Sequence, residues 1–399
     1  MTGRADAGSA PVNLASDRPA RLRILFAGHS LADPLGGGEL SARALLTALA
    51  RRHDVSALCV GRTARTYELD GGVSCEDFAT TLFPPPAGMP FHVAAMRVEH
   101  QFCDRLAPHL ATHAPHVVLL QQPSAVRPED IPSTTTVVMF LHSFVCYGAG
   151  DANPSAWRRA ASGVFRAVRL RRNRPLLDRA DLIISNSRFL QALLQKRATI
   201  ASHVVAPFIA ADAPARPSNG LPFGSLRDAI TFVGLDAWKG AGIAMRIAAA
   251  LPDRQFLFLD GPRASDALKA AARRLPNVTC LGWTDDMRSV FERTRILLMP
   301  SVWEEPFGRL PVEAGAYGIP TLASTRGGLP EAVGDGGALI DPLDDIAQWT
   351  RQIAALDSED HYATLSAAAR RHAARFELGT TIGHFAACLQ RHTGVHLSL

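Results

Sequence analysis

The sequence is poor in patterned cysteine and in long apolar runs, and each shortage excludes a class of protein. Its six cysteines are scattered over 399 residues with no C-x-x-C spacing, so neither a disulfide framework nor a zinc site is signalled. No apolar run approaches the roughly 18 residues that cross a bilayer. Residues 1–20 lack the apolar core of a secretory signal and are predicted to form a flexible tail. We therefore expect a cytoplasmic protein.

Length and composition predict two domains. A single core seldom grows beyond about 250–300 residues, and the apolar fraction of 47% indicates a well-buried globular chain. The stretch 208–228 is rich in Pro, Ala, Gly and Ser, which is typical of a linker. We predict a first domain over 21–207, a second over 229–375 and a final helix over 376–399. The net charge of +5 is mild and does not indicate a nucleic-acid partner.

Short apolar runs alternate with helical patterns in both halves, which predicts two doubly wound α/β units with parallel sheets. The predicted strands are Leu22–Ala27, Val55–Val60, Val117–Gln121, Thr136–Leu141, Asp181–Asn186, Ala229–Val233, Phe256–Leu259, Val278–Leu281, Ile296–Met299 and Ile319–Ser324. A helix is predicted from about Leu40 to Ala50, and Ser187 can cap a later one. The stretch 61–95 has three consecutive prolines and little periodicity, and we predict an irregular excursion there.

The most informative stretch is 296–341, where a buried strand leads into a loop with carboxylates. Pro311 suits only the first turn of a helix, so a helix is predicted to begin close to it. The amides of 307–310 would then lie free at a helix N-terminus, which is a ready anion site. Glu305 lies just before that site and Glu313 about one turn inside the helix, an arrangement that fits a nucleotide-sugar. The alternative is an ordinary strand–glycine–helix junction.

The segment from Glu305 to Glu313, EPFGRLPVE, resembles the E-x7-E signature of family 4 glycosyltransferases, which are retaining enzymes of the GT-B type. The resemblance extends through Pro300-Ser301, Gly318-Ile319-Pro320 and Gly327-Gly328 to Glu331. It implies the GT-B fold, with two Rossmann-like domains facing across a cleft and the last helix packing back on the first domain. It also implies sugar transfer from a nucleotide diphosphate donor to an acceptor hydroxyl, with retention of configuration.

The resemblance assigns roles to individual residues. Glu305 and His142 are expected to act on the donor sugar as catalytic residues, and Glu313 is expected to hold the ribose hydroxyls. The diphosphate is expected to lie against Lys239, the glycine-rich loop and the helix-terminal amides. The donor-binding residues implied in this way are Gly37, Gly38, Lys239, Trp283, Phe307, Gly308, Arg309, Leu310 and Glu313.

Several of these positions also have a structural reading. The run Gly36-Gly37-Gly38 lets backbone approach a ligand closely, but it is not a G-x-G-x-x-G fingerprint and also suits a flexible loop. His142 follows a strand directly, at the functional edge of a parallel sheet, although a lone histidine is more often structural. Lys239 can neutralise a diphosphate or be a surface lysine. Trp283 can stack on the nucleotide base or belong to the core.

One loop departs from the family pattern G-R-x4-K-G. The arginine is replaced by Leu235 and the loop is one residue shorter, so this loop lacks the second cationic contact to the phosphates, and Trp238 and Arg309 are the candidates to compensate for it. No D-x-D motif stands where a metal would bridge a diphosphate, because Asp285-Asp286 is expected to begin a helix. We therefore predict neither a metal nor a cofactor other than the donor.

The stretch 156–174 holds seven arginines interspersed with apolar residues. A basic amphipathic helix of this kind can lie on an anionic membrane surface or grip a phosphorylated lipid, and it can equally be a solvated helix face. A lipid-linked acceptor, with peripheral contact at the inner face of the membrane, is the first hypothesis. Glycan and small-molecule acceptors are the alternatives.

Two other classes of protein fit parts of the pattern. A glycoside hydrolase also uses two carboxylates, but it needs no phosphate site. A non-catalytic two-domain sugar-binding protein has a similar architecture, but typically carries an export signal.

Overall fold

The computed structural model describes residues 21–33, 36–80, 91–121, 126–142, 156–210, 228–261, 264–284 and 286–399, with the side chains of 91–96, 156–166 and 169 excepted. The predicted tail at 1–20, residues 211–227 of the predicted linker, and Asp285 lie outside the described residues. Within the described ranges, no helix combines the length and the apolar character that crossing a membrane requires.

The first half of the chain forms a sheet of eight described strands. They are β1 (Arg23–His29), β2 (Asp54–Gly61), β3 (Arg65–Leu69), β4 (Val73–Ala79), β5 (Val117–Leu120), β6 (Thr136–Leu141), β7 (Leu182–Ser185) and β8 (His203–Val204). The order across the sheet is β3-β4-β2-β1-β5-β6-β7-β8, and every neighbouring pair except β3 and β4 is parallel. The apolar run of β5 is buried along its whole length, as in a parallel sheet covered on both faces.

Helices pack on both faces of this sheet. They are α1 (Gly37–Ala50), α2 (Phe91–His113), α3 (Ala156–Arg179) and α4 (Arg188–Ala198), with a short 3-10 helix at Pro128–Asp130. Successive strand residues point to opposite faces of the sheet and contribute to two hydrophobic cores, since Phe26 packs on the face that α1 covers and its neighbour Leu25 packs on the opposite face. The predicted cap of α4 is confirmed, because the Ser187 hydroxyl accepts a hydrogen bond of 2.9 Å from the Leu190 amide.

The second half forms a smaller sheet of six described strands, all parallel. They are β9 (Ala229–Val233), β10 (Phe256–Leu259), β11 (Val278–Leu281), β12 (Thr294–Met299), β13 (Thr321–Ser324) and β14 (Gly337–Ile340), in the order β11-β10-β9-β12-β13-β14. Its helices are α5 (Ala241–Ala250), α6 (Asp266–Arg273), α7 (Met287–Arg293), α8 (Arg309–Ala316), α9 (Leu329–Val333), α10 (Ile346–Ala355) and α11 (Glu359–Ala374). The prediction of two doubly wound parallel sheets is confirmed.

The prediction of an irregular excursion over 61–95 is wrong. Residues 65–79 form the antiparallel hairpin of β3 and β4, which extends the first sheet at one edge, and residues 91–95 are the first turn of α2. Gly71 and Gly72 form its turn with φ of 88° and 87°, values that favour glycine. The alternating pattern of RTYEL in β3 was the available signal. The three prolines at 84–86 lie outside the described residues.

The predicted start of the first helix near Leu40 is also wrong. Helix α1 begins at Gly37, so Gly37 and Gly38 form its first turn rather than a preceding loop. Glycine is an unusual choice inside a helix because it adds conformational entropy to the unfolded chain. Its presence here follows from close neighbours, since a Cβ on Gly37 would lie 2.7 Å from the Cδ of Arg309.

The last helix, α12 (Leu378–Thr393), leaves the second sheet and packs on the core of the first. Phe385 is fully buried there, with its ring centroid 5.5 Å from that of Phe140 and 5.9 Å from that of Phe208. The last helix therefore contributes to the hydrophobic core of the first domain.

We expect Phe385→Ala to lower the free energy of unfolding by about 3–5 kcal/mol, because it opens a cavity beside the rings of Phe140 and Phe208. Urea denaturation of the full chain measures this change. The control is His384→Ala, an exposed neighbour on the same helix, which should change stability by less than about 0.5 kcal/mol. Equal stabilities of the two variants would contradict the packing described.

Candidate active site

Both sheets have a point where the strand order reverses, and ligands of doubly wound folds collect there at the carboxyl ends of the strands. In the first sheet β1 lies between β2 and β5, and in the second β9 lies between β10 and β12. Helix α1 follows β1, and His142 follows β6. Lys239 and Glu305 follow β9 and β12, the two neighbouring strands at the second reversal.

Glu305 and Lys239 form an ion pair at the edge of the second sheet. The Lys239 Nζ lies 2.5 Å from the Glu305 Oε1, and the Ser301 hydroxyl donates to the same oxygen at 3.0 Å. Glu305 is only 5% exposed, and a buried carboxylate needs such partners. Among the described residues both contacts end on Oε1, which leaves Oε2 for a ligand hydroxyl.

Glycines at three positions allow the loops around this pair to come together. Gly327 has φ of 67°, and a Cβ on it would lie 2.1 Å from the carbonyl oxygen of Glu305. The next amide, that of Gly328, donates to the same carbonyl oxygen at 2.7 Å. Gly240 has φ of 85° and approaches Pro300, where a Cβ would lie 1.9 Å from the carbonyl oxygen. The glycine pattern therefore fixes the backbone on both sides of the ion pair.

Helix α8 begins as the sequence indicates. Gly308 precedes its first residue with φ of 93°, and the amides of Arg309 and Leu310 lie in its first turn, where backbone N–H groups lack partners inside the helix. The side chain of Phe307 is buried beside Val312, so that residue offers only its backbone to a ligand.

Arg309 joins the two halves of the chain at this point. Its Nε and Nη2 each lie 3.0 Å from the Glu313 Oε1. Its Nη1 donates to the carbonyl oxygens of Gly37 and Phe208 at 3.0 and 3.3 Å. The guanidinium is therefore occupied by Glu313 and by backbone of the first half of the chain.

Leu235 itself is a core residue, packed with Phe232 and Ile247. Lys239 is thus the one cation in the loop 234–240. The carbonyl oxygen of Trp238 accepts hydrogen bonds from the amides of residues 302 and 303 at 2.9 and 3.3 Å, which fastens this loop to the one that carries Glu305.

His142 lies at the carboxyl end of β6, with its ring stacked on that of Phe140 at a centroid distance of 5.8 Å. A Cβ on Gly38 would lie 3.7 Å from the imidazole Cδ2, so the first turn of α1 passes directly beside it. Burial, together with the charge of Arg309, lowers the pKa of His142 to about 4. The imidazole is therefore neutral near pH 7 and can accept or donate a hydrogen bond.

Three further polar residues at this junction were not singled out as site residues from sequence. Gln121 follows β5, and its Oε1 accepts from the His29 amide at 3.2 Å. Asn186 follows β7; its Nδ2 donates to the His142 carbonyl oxygen at 3.3 Å, and its buried Oδ1 has no partner among the described residues. Glu331 accepts from the amides of Arg188 and Phe189 at 3.0 and 2.8 Å, capping α4 from the opposite half. The sequence signals that could have identified them were the positions of Gln121 and Asn186 directly after a strand and of Glu331 in the first turn of a helix.

Trp283 stands apart from this group. It lies beyond the end of β11, the edge strand of the second sheet, and is 61% exposed. The alternative of a core aromatic is therefore wrong, whereas stacking on a base stays a prediction.

Two α/β domains with parallel sheets, each presenting polar loops at the carboxyl ends of its central strands, define the GT-B class of architecture. The model of the family described as glycosyl transferases group 1 matches residues 227–358. The model described as glycosyltransferase family 4 matches residues 35–212. The chain belongs to the group 1/family 4 glycosyltransferases of the GT-B fold.

Solved structures support the fold along nearly the whole chain. Sucrose-phosphate synthase from Thermosynechococcus elongatus superposes with a TM-score of 0.73 at 19% identity, over 93% of this chain and 99% of that one. Anabaena Alr3699/HepE in complex with UDP-glucose superposes with a TM-score of 0.64 at 20% identity, over 93% of this chain and all of that one (100%).

Curated relatives match a shorter part. D-inositol 3-phosphate glycosyltransferase from Mycolicibacterium vanbaalenii is 35% identical over 175 residues, which is 38% of this chain and 38% of that protein. The protein of that name from Mycolicibacterium smegmatis is 36% identical over 191 residues, 44% of this chain and 43% of that protein. The matched segments span less than half the length of these relatives.

The lowered pKa of His142 predicts a specific pH dependence of stability. Between about pH 6.5 and pH 4 the unfolded chain binds a proton at this residue and the folded chain does not, so the free energy of unfolding falls as the pH falls. We expect His142→Asn to remove this component. Relative to the variant, the wild-type chain should lose about 2 kcal/mol between about pH 7.5 and about pH 4.5.

Urea denaturation at several pH values measures the difference, in which all other titrating groups cancel. The control is His361→Asn, an exposed histidine in α11, whose stability profile should run parallel to that of the wild type. A His142→Asn profile that also runs parallel would contradict a neutral His142 imidazole in the folded chain.

Proposed function

We propose that this protein is a retaining glycosyltransferase that moves a sugar from a nucleotide diphosphate donor to an acceptor hydroxyl. The observation that carries the proposal is the ion pair of buried Glu305 and partly exposed Lys239. It lies beside the N-terminus of α8 and across from α1 and His142. A hydrolase needs a pair of carboxylates but has no use for a cation and free amides beside them.

The proposed donor lies along this edge of the second sheet. Lys239 and the first amides of α8 stabilise the leaving diphosphate, because fixed charges and dipoles aimed at developing charge lower the barrier. Glu305 Oε2 binds hydroxyls of the sugar, and Glu313 binds those of the ribose. Neutral His142 and the unpartnered Oδ1 of Asn186 meet the sugar from the first domain. Trp283 stacks on the base.

The proposed chemistry needs no protein nucleophile. The glycosidic bond to phosphate breaks, the acceptor hydroxyl attacks the oxocarbenium-like carbon from the same face, and the departing phosphate oxygen takes the hydroxyl proton. Donor phosphate thus acts as the base, and the residues hold its charge and exclude water. We propose that no metal ion takes part in this step, since Lys239 and the helix N-terminus supply the positive charge.

The proposal is tested by thermal stabilisation with a panel of nucleotides and nucleotide-sugars, led by UDP-glucose because a structural neighbour binds it. At 100 times its Kd the right diphosphate should stabilise the fold by about 2.7 kcal/mol, with or without chelator. Lys239→Met should weaken that binding at least about tenfold by removing a charge-assisted contact. Lys196→Met, at an exposed position in α4, is the matched control and should bind as the wild type does.

The outcomes separate the alternatives. Binding without transfer to any acceptor, including D-inositol 3-phosphate and lipid-linked sugars, favours a non-catalytic binding protein. Activity on simple glycosides without any nucleotide response favours a hydrolase. Where transfer occurs, the anomeric configuration of the product, read by NMR, tests retention.

We further propose that α3 brings the protein to an anionic membrane surface that carries the acceptor. Helix α3 contains the arginine-rich stretch 156–174, and its described residues Val168, Arg171 and Arg172 are all exposed. These three residues share one face of the helix, because positions three and four apart are neighbours on its surface. Exposed arginines next to an exposed valine suit contact with acidic headgroups.

Vesicle flotation tests the membrane proposal. The wild type should bind vesicles rich in acidic lipid and not neutral ones, and Arg171→Gln with Arg172→Gln should weaken that binding at least about tenfold. The control neutralises two exposed arginines of the second domain, Arg274 and Arg351, in the same way. The pairs are matched, since Arg172 and Arg351 each lie 4.0 Å from a carboxylate oxygen. Equal loss in both double variants would indicate a general charge effect and contradict a role for α3.

A further inference from the structure

A cluster of three metal-ligating side chains lies on elements that carry none of the proposed donor-site residues. His203 is in β8, the edge strand of the first sheet, and Cys388 and His392 are four residues apart in α12. Their candidate ligand atoms all lie within 4.8 Å of one another. Because residues i and i+4 share one helix face, Cys388 and His392 present their donors together towards the strand.

We propose that His203, Cys388 and His392 form a binding site for a zinc ion. Two imidazole nitrogens and one thiolate are ligands that Zn²⁺ prefers, whereas Mg²⁺ and Ca²⁺ take oxygen. Tetrahedral coordination at the usual bond lengths sets the donors about 3.3–3.7 Å apart, so the side chains need to converge by no more than about 1.5 Å. The two imidazole rings are already close, with centroids 3.9 Å apart.

The surroundings also suit a cation. Helix α12 ends at Thr393, so His392 and the proposed ion lie at the helix C-terminus, where the carbonyl groups attract positive charge. His203 and His392 are exposed and Cys388 is partly buried, so an ion can reach the site from solvent. Binding replaces the proton of the Cys388 thiol, which leaves to solvent as the sulfur–zinc bond forms. The resulting thiolate also gives nearby Arg391 a negative partner.

The site has a structural consequence. Helix α12 follows the second domain but packs on the first, and the ion would tie its last turn to the edge strand β8. Three protein ligands leave a fourth position for water. The site is independent of the proposed function, because none of its residues belongs to the donor site.

Cobalt(II) titration of the untagged, reduced and chelator-stripped full chain tests the site, since Co²⁺ reports its ligands by colour. We expect a thiolate-to-cobalt charge-transfer band with the intense visible bands of a tetrahedral site, both abolished by one equivalent of Zn²⁺. Cys388→Ser should abolish the charge-transfer band. His203→Ala should weaken metal binding at least about 100-fold, beyond the effect of losing an outer-shell partner.

Matched controls are Cys280→Ser, a partly buried cysteine in the second domain, and His384→Ala, an exposed histidine on the same helix. Both should bind cobalt as the wild type does. Zn²⁺ at 100 times its Kd should raise the melting temperature of the wild type by about 2–4 °C and leave that of His203→Ala unchanged. His203→Ala, at an exposed position, keeps the test valid if Cys388→Ser folds poorly.

Cobalt binding without a charge-transfer band would overturn the proposal. A band that survives Cys388→Ser or disappears in Cys280→Ser would do the same, as would a melting temperature that Zn²⁺ does not change.

Discussion

The site depends on the burial of one carboxylate. Glu305 is almost fully enclosed, and a charge in that position is stable only with a partner of opposite sign and further hydrogen bonds. Lys239 and the Ser301 hydroxyl meet this need. The loops that carry them come close enough only because Gly240 and Gly327 have no side chain at the points of contact. The spacing of glycines around the two strands is therefore a requirement of the ion pair.

The same junction holds the two domains against each other through hydrogen bonds in both directions. Arg309 reaches from α8 to backbone carbonyl oxygens of the first half, while Glu331 caps α4 from the second. The Ser187 hydroxyl donates to the carbonyl oxygen of Pro306. Each contact joins a polar side chain of one half to backbone of the other.

Sequence reasoning recovered features that follow from strand order alone. Lys239, Glu305 and His142 each follow an apolar run, and the carboxyl ends of parallel strands share one edge, so their grouping within each sheet was predictable. The hairpin of β3 and β4 was missed because its alternation is partly charged and prolines follow it. The cluster of His203, Cys388 and His392 could not be predicted from sequence, because the whole second domain separates His203 from the other two residues along the chain. Only the return of α12 to the first sheet brings them together.

The ion pairs of Glu313 and Lys239 constrain how a donor can bind. Glu313 is expected to hold the ribose, yet its Oε1 already accepts both arms of Arg309, whose remaining nitrogen reaches the carbonyl oxygen of Gly37. A ribose hydroxyl that binds at the Glu313 Oε1 must share or displace the guanidinium, and any shift of Arg309 also loosens the contact with the first turn of α1, whereas a hydroxyl that binds at Oε2 leaves Arg309 in place. Lys239 also already has a partner, so a diphosphate would compete with Glu305 for its ammonium group. Where the donor displaces Arg309, its binding and the contact between the domains are linked through that one cation, which gives a physical route from an occupied site to a change in domain closure.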